Sequence, residues 1–400
     1  MSFNSLFFVT VLFFIYIDFT LADPSECRPE DVPTNDIKRR IVYLDRNNGK
    51  FFAVISLGVP LQDFNVALDF NSAVLWVPHS NCRCADECKQ AQFCKENCSQ
   101  HCCEQNLRNK RMNEVSPLTG KCTNKMAFRV KKSRLYMETR NYLRVKYAGE
   151  DLLTFISLDQ MSFGSRHAPG ITIPHVEFGL LREFPESYED AVNDGVLGLA
   201  ISDKNGNQSI MKQLLDRNFI PNPIITIWIN NGKGDLQLVD GSMTIGEIDT
   251  RVCENKPGFF KLASLDKWAF LLNGASVSGK EFPRSKISID LEAPKLVVPH
   301  EVLVHIIELC NAQMDESTGD LIGECTDTAV VISQGGISMQ TNLINYMTKY
   351  DNIYCLINVR EATPEDPSEW VLNAGVTKDF CIILDYSGHL GFTPIKAKKS

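Results

Sequence analysis

The chain has 400 residues, of which 44% are hydrophobic and 22% charged, an ordinary globular composition whose length suggests two core-forming units rather than one. A formal net charge of -8 leaves no basic footprint for neutralising phosphates, so no nucleic-acid partner is expected.

At the start, Leu6 to Ile17 is an apolar run followed by Thr20-Leu21-Ala22 and the polar Asp23-Pro24-Ser25-Glu26. It reads as a secretory signal peptide over residues 1–22, too short to span a bilayer comfortably. Met1 to Ser5 contains no Lys or Arg, so an uncleaved anchor and a buried strand are the competing readings. With the signal removed, no stable membrane anchor is expected. Residues 23–48 hold Cys27 and Lys38-Arg39-Arg40 but too little apolar content to fold alone, and read as an arm or a trimmed leader.

From Phe51 the texture changes. Phe52 to Leu57 and Phe64 to Leu68 are apolar, partly alternating runs separated by Gly58-Val59-Pro60, which predicts two strands joined by a turn. The sheet is then interrupted. Of fourteen cysteines, eight (Cys82, Cys84, Cys88, Cys94, Cys98, Cys102, Cys103 and Cys122) fall in one polar stretch, residues 81–122. In an oxidising compartment this is a disulfide-stapled surface insert. A metal site built from these thiolates and His101 is the rival, but the spacings are irregular and no paired C-x-x-C knuckles occur, so neither metal nor cofactor is expected. Asn97-Cys98-Ser99 and Asn207-Gln208-Ser209 fit the glycosylation pattern, which places Asn97 and Asn207 on exposed loops of a protein in a secreted or endolysosomal lumen.

Strand-like runs resume over Leu143 to Phe163, a helix is predicted at Gln208 to Asn218, and Pro223 to Ile229 is another strand. The Gly- and Asn-rich residues 230–235 after it are a natural place for one lobe to yield to the next, giving an N-terminal lobe over 49–225 and a C-terminal lobe over 226–400. Each half carries an apolar strand running into a carboxylate, then a second apolar run: Val66-Ala67-Leu68-Asp69 before Leu75-Trp76-Val77-Pro78, and Lys286 to Asp290 before Leu296-Val297-Val298-Pro299. The halves look like an internal duplication. Two carboxylates brought together between lobes share one proton, because like charges a few ångströms apart do not both ionise, and such a pair can activate a water for amide hydrolysis. Either aspartate taken alone is an ordinary turn residue; the matched pair is what points to chemistry. No G-x-S-x-G is present, and His300-Glu301 with His305 misses the H-E-x-x-H spacing, which argues against serine and metal hydrolases. Trp76 and Trp370, flanked by apolar strand residues, read as core.

These residues resemble the pepsin-like aspartic peptidases. Phe52 to Pro60 is similar to the family's opening strand and turn, and Asp69-Phe70-Asn71-Ser72-Ala73-Val74-Leu75-Trp76-Val77-Pro78 to its D-T-G-S-S-N-L-W-V-P loop. Asp194 to Ala200 is similar to D-G-I-L-G-L-A, Tyr147-Ala148-Gly149 stands where the flap tyrosine would be, and Gly391-Phe392-Thr393-Pro394 is similar to the closing strand. The resemblance implies an all-β, bilobal, double-barrel architecture with a cleft between homologous lobes, Asp69 and Asp290 as the catalytic pair, Ser72 and Tyr147 as cleft residues, a Cys325 to Cys355 disulfide, and peptide or protein as substrate or ligand.

The departures bear on activity. Where the family has D-T-G, this chain has Asp69-Phe70-Asn71 and Asp290-Leu291-Glu292, so both threonine hydroxyls that would brace the loops are missing, and Glu292 brings a third carboxylate. The hydroxyl residue after the motif survives as Ser72 but becomes Ala293, and the glycine of the supporting motif survives as Gly198 but becomes Asn373. The arm over 23–48 is short for a leader that covers a cleft. A homologue with weak or no proteolytic activity that binds peptides or a partner is therefore expected; the alternative is an active aspartic endopeptidase using Asp69 and Asp290.

Overall fold

The computed structural model describes residues 40–397, apart from 81–124, where only Gln90, Gln92 and Lys95 are described, and short gaps at 48, 148–149, 183, 185–187, 189, 203–208 and 231–238. The signal peptide, most of the arm, all eight insert cysteines, His101, Asn97 and Asn207 therefore lie outside the described residues.

The first half lays down β1 (Ile41–Asn47), β2 (Lys50–Leu57), β3 (Gln62–Asp69), β4 (Leu75–Pro78), β5 (Met137–Tyr147), β6 (Glu150–Phe163), β7 (Thr172–Leu181) and β8 (Gly195–Gly198). Of the eight residues of β2, six are buried. β2 pairs with β1 over residues 50–53, with β3 over 52–57 and at its end with β6, while Phe51, Ala53, Ile55 and Leu57 enter the large core and Phe52 a second cluster, so the sequence reads as a nearly continuous apolar run. Strands β5 and β6 form a long hairpin in which Tyr147 pairs with Glu150.

Helix α1 (Ile210–Asp216) is shorter than the periodicity predicts. The Ser209 side chain caps it by accepting from the Lys212 N–H at 3.3 Å, and Asn218, in the left-handed region at φ 58°, stops it. Two further strands, β9 (Ile224–Ile229) and β10 (Gly241–Ile245), then pair with each other, and β10 pairs with β1. With the chain's closing strands Phe380–Asp385 and His389–Pro394, they belong to one 13-stranded sheet that takes in segments from both halves of the sequence.

The same connection occurs in each half. In the first, β3 runs parallel to β8, β4 runs antiparallel to β8, and β4 is also parallel to β7. In the second, Lys286–Ile289 runs parallel to Trp370–Leu372, Leu296–Val298 runs antiparallel to Trp370–Leu372, and Leu296–Val298 is parallel to Val359–Glu361. The architecture is thus all-β and bilobal, built on a repeated four-strand unit. A single large hydrophobic core draws on both halves, while Trp76, Phe52, Val145 and Tyr188 belong to a smaller cluster under the β5–β6 hairpin. Trp76 and Trp370 are each only 1% exposed. Disulfides join Cys253 to Cys381 and Cys325 to Cys355, and Cys310 is buried as a free thiol.

Candidate active site

Asp69 is the last residue of β3, and Asp290 directly follows Lys286–Ile289, so the repeated unit delivers one carboxylate from each half. The two loops are built alike. The Asn71 N–H donates to Asp69 Oδ1 at 2.8 Å, and the Glu292 N–H donates to Asp290 Oδ1 at 3.0 Å. Each loop is also tied to the strand behind it: the Leu199 N–H donates to the Asp69 carbonyl at 2.7 Å, and the Asp290 N–H to the Leu372 carbonyl at 2.9 Å.

The positions next to the aspartates are filled by core residues. Phe70 and Leu291 are 2% and 1% exposed and both join the large core, so apolar packing holds each loop where hydroxyls are missing. Among the described residues, no hydrogen bond joins the 69–74 loop to the 290–295 loop. Ser72 acts within its own lobe: its Oγ accepts from the Val74 N–H at 3.2 Å and its carbonyl from the Ala200 N–H at 2.9 Å.

Behind the first loop, Gly198 has no room for a side chain, since a Cβ there would sit 2.5 Å from the Ala73 carbonyl carbon and the Val74 nitrogen. In the second lobe the corresponding residue is Asn373. It is buried, and its Oδ1 accepts from the Gly375 N–H at 2.9 Å, capping the turn over Ala374–Lys378. The asparagine is thus accommodated by a local hydrogen bond that glycine does not make.

Both aspartates are held above the ordinary carboxylate range, chiefly by burial. The Asn71 and Ser72 amides oppose the rise at Asp69 and the charge of Asp290 adds to it; at Asp290 the Glu292 and Ala293 amides oppose it. A pair whose members disfavour each other's ionisation can hold one proton between them, one acting as base and the other as acid. Glu292 is closely involved. Burial pushes it up to about 7, the Lys50 ammonium opposes this, and the charges of Asp290 and Asp69 reinforce it. Its Oε1 is buried and has no hydrogen-bond partner.

Tyr147 closes the other side. Its ring meets Trp76 edge-on with centroids 5.3 Å apart, and its hydroxyl faces Asn193 Oδ1 at a long 3.4 Å. Glu292 also contributes to raising the tyrosine's pKa, after burial, which places the two in one electrostatic neighbourhood. Ala148 and Gly149 lie outside the described residues.

The structure therefore gathers Asp69, Asp290, Glu292 and Tyr147, with Ser72 in the first loop. It keeps the Cys325–Cys355 disulfide in a separate four-stranded sheet of the second half. Sequence reasoning missed Lys50, which acts on both Asp69 and Glu292. The Gly49 turn before β2 was its only signal. Reasoning also missed a cavity of about 340 Å³ lined by Glu292, Arg46, Lys378, Asn345 and Asn373 among others. No group of three or more metal-binding side chains occurs among the described residues.

Residues 50–392 match the sequence model of the family described as eukaryotic aspartyl protease. Aspartic protease 2 of Necator americanus is 25% identical over 365 residues, covering 87% of this chain and 84% of that protein. Aspartic protease 10 of Caenorhabditis elegans is 22% identical with coverages of 88% and 85%, and pepsin A-5 of Mus musculus is 24% identical with 86% and 81%. With the family's pattern spanning nearly the whole described chain and two carboxylates presented by a repeated strand unit, the protein belongs to the eukaryotic aspartyl protease family.

Proposed function

We propose that this protein is a secreted or endolysosomal member of the family that binds peptides in its cleft and cleaves them weakly or not at all. The observation that carries this reading is the missing tie between the two aspartate loops: each carboxylate is positioned only by amides of its own lobe, and no hydrogen bond spans the pair of loops among the described residues. Turnover by a shared-proton pair requires placement to within about 0.5 Å, and a site whose supporting contacts are loose loses rate first. Binding is less demanding. The β5–β6 hairpin keeps Tyr147, half-buried against the Trp76 core, as the aromatic residue a bound peptide would meet.

In this reading Asp69 and Asp290 are the residual pair, Ser72 and Tyr147 support the cleft, and the lobes divide near residue 225. The signal over 1–22 and glycans at Asn97 and Asn207 follow from the sequence. Among the described residues no helix is long and apolar enough to cross a membrane.

One observation favours the second reading, an active endopeptidase: both carboxylates keep amide donors and pKa values above the ordinary range. In that case one carboxylate removes a proton from water as the oxygen attacks the amide carbon and the other carboxyl protonates the carbonyl oxygen; the first then passes its proton to the nitrogen as the C–N bond breaks, while the second recovers a proton from a diol hydroxyl. Incubation with a quenched-peptide library from acid to neutral pH, with a statine-type inhibitor and an Asp69→Asn control, separates the two. Inhibitor binding without turnover is expected; inhibitor-sensitive cleavage that disappears in the control would overturn the proposal.

A further inference from the structure

The cavity beside Glu292 has features that no aspartate chemistry requires. Its volume of about 340 Å³ gives room for one side chain. Two cationic residues line it, Arg46 from β1 and Lys378 from the Ala374–Lys378 turn, against a single carboxyl, Glu292. The Lys378 ammonium is fixed there, donating to the Asn345 carbonyl at 2.6 Å. Arg46 holds its guanidinium over the Phe51 ring, 5.4 Å from the centroid. Asn373, also on the lining, has committed its oxygen to the Gly375 amide.

We infer that this cavity is a specificity pocket for an acidic side chain of the bound peptide, with Arg46 and Lys378 supplying the opposing charge and Glu292 a hydrogen bond. The inference rests on the proposal that the cleft holds peptides. Glu292 is the one carboxyl on the lining; its Oε1 is shut away from solvent, and the Phe51 amide also meets its carboxylate. The groups acting on it are Lys50 on β2, Asp69, Asp290 and, through its effect on the tyrosine, the Tyr147 hydroxyl; Arg46 and Lys378 share the cavity lining with it, and the Arg46 N–H donates to Asp240 Oδ2 at 2.8 Å. The nearby Asp379 does not line the cavity, and it accepts from Asn345 and from the Thr341 hydroxyl.

With a pKa near 7, Glu292 is protonated at acid pH. It then donates to a ligand carboxylate, and the pocket carries a net positive charge. Above neutrality it ionises and opposes the same ligand. A basic side chain meets the reverse situation, facing two cations and, at acid pH, no anion on the lining.

The test uses non-cleavable statine-containing peptides in which Glu, Gln or Lys is placed at each position in turn, with Kd measured by calorimetry near pH 5 and pH 8. At one position Glu is expected to bind about tenfold tighter than Gln near pH 5, the scale of one charge-assisted contact, and to lose that margin near pH 8. Arg46→Gln erases the difference, Arg46→Glu shifts the preference to Lys, and Glu292→Gln keeps the Glu preference at pH 8. Peptides that bind with no Glu preference at any position, or with a preference for Lys, would overturn the pocket and leave the cleft reading intact. Failure of every peptide to bind the folded chain would overturn both.

Discussion

Replacing Glu292 by Gln tests the electrostatics of the site without any ligand. Burial first, and the two aspartates second, hold the Glu292 carboxyl at about 7 instead of its ordinary 4.5. Below pH 4.5 the group is protonated in both the folded and unfolded chains, so its ionisation imposes no cost. As pH rises from 4.5 to 7 the unfolded chain releases the proton while the folded one retains it, and stability falls. Above 7 both are ionised and the loss is complete, amounting to roughly 3 kcal/mol at about 1.4 kcal/mol per tenfold change in proton affinity. Glutamine has the same shape and no charge, so it removes this loss. The variant is therefore expected to match the natural chain near pH 4 and to melt higher near pH 8, by roughly 5 °C for a chain of this size. Thermal midpoints by circular dichroism across that range, at a fixed scan rate, provide the measurement. Taking the difference between two proteins at each pH cancels the contributions of titrating groups that do not interact with Glu292. A variant that gains nothing near pH 8, or gains as much near pH 4, would refute the assignment of a raised pKa to Glu292.

Other substitutions probe the scaffold. Gly198→Ala forces a Cβ to 2.5 Å from the backbone of residues 73 and 74, and is expected to cost several kcal/mol, read by melting temperature. Trp76→Ala empties the cluster beneath the β5–β6 hairpin, a loss of about 3–5 kcal/mol, and should expose that hairpin to limited proteolysis. Tyr147→Phe removes only a hydroxyl contact at 3.4 Å, so its stability is expected to stay within about 0.5 kcal/mol. Joint replacement of Cys253 and Cys381 by Ser releases a bridge spanning 128 residues and should destabilise the chain by roughly 2–5 kcal/mol in denaturant titration.

The strands that carry the aspartates were legible because their residues alternate or run apolar up to a single carboxylate, and the two-lobed duplication followed from finding that pattern twice. The fate of Trp76 and Trp370 was legible for the same reason, since each is embedded in an apolar strand. Helix α1 was found but drawn too long, because periodicity carries no information about where a cap and a left-handed Asn218 stop the turn. The loss of the loop hydroxyls was visible in Phe70 and Leu291, but their burial in a common core was not, because it depends on how the lobes close around them. The cavity was beyond reach. Arg46, Glu292 and Lys378 are separated by 246 and 86 positions and share no local pattern; only the tertiary fold brings them to one wall.

Strand β1 sits between β2 and β10, with Ile41 opposite Thr244. One neighbour follows within a few residues of the chain, but the other is about 200 residues away, which at 5–20 residues per second amounts to roughly 10–40 s of synthesis. During that interval one edge of β1 has no strand to bond, and the sheet linking the two halves cannot be completed. An unpaired strand edge is a template for other chains, so the nascent protein depends for that period on whatever shields it, and the cleft takes shape only after most of the sequence has emerged.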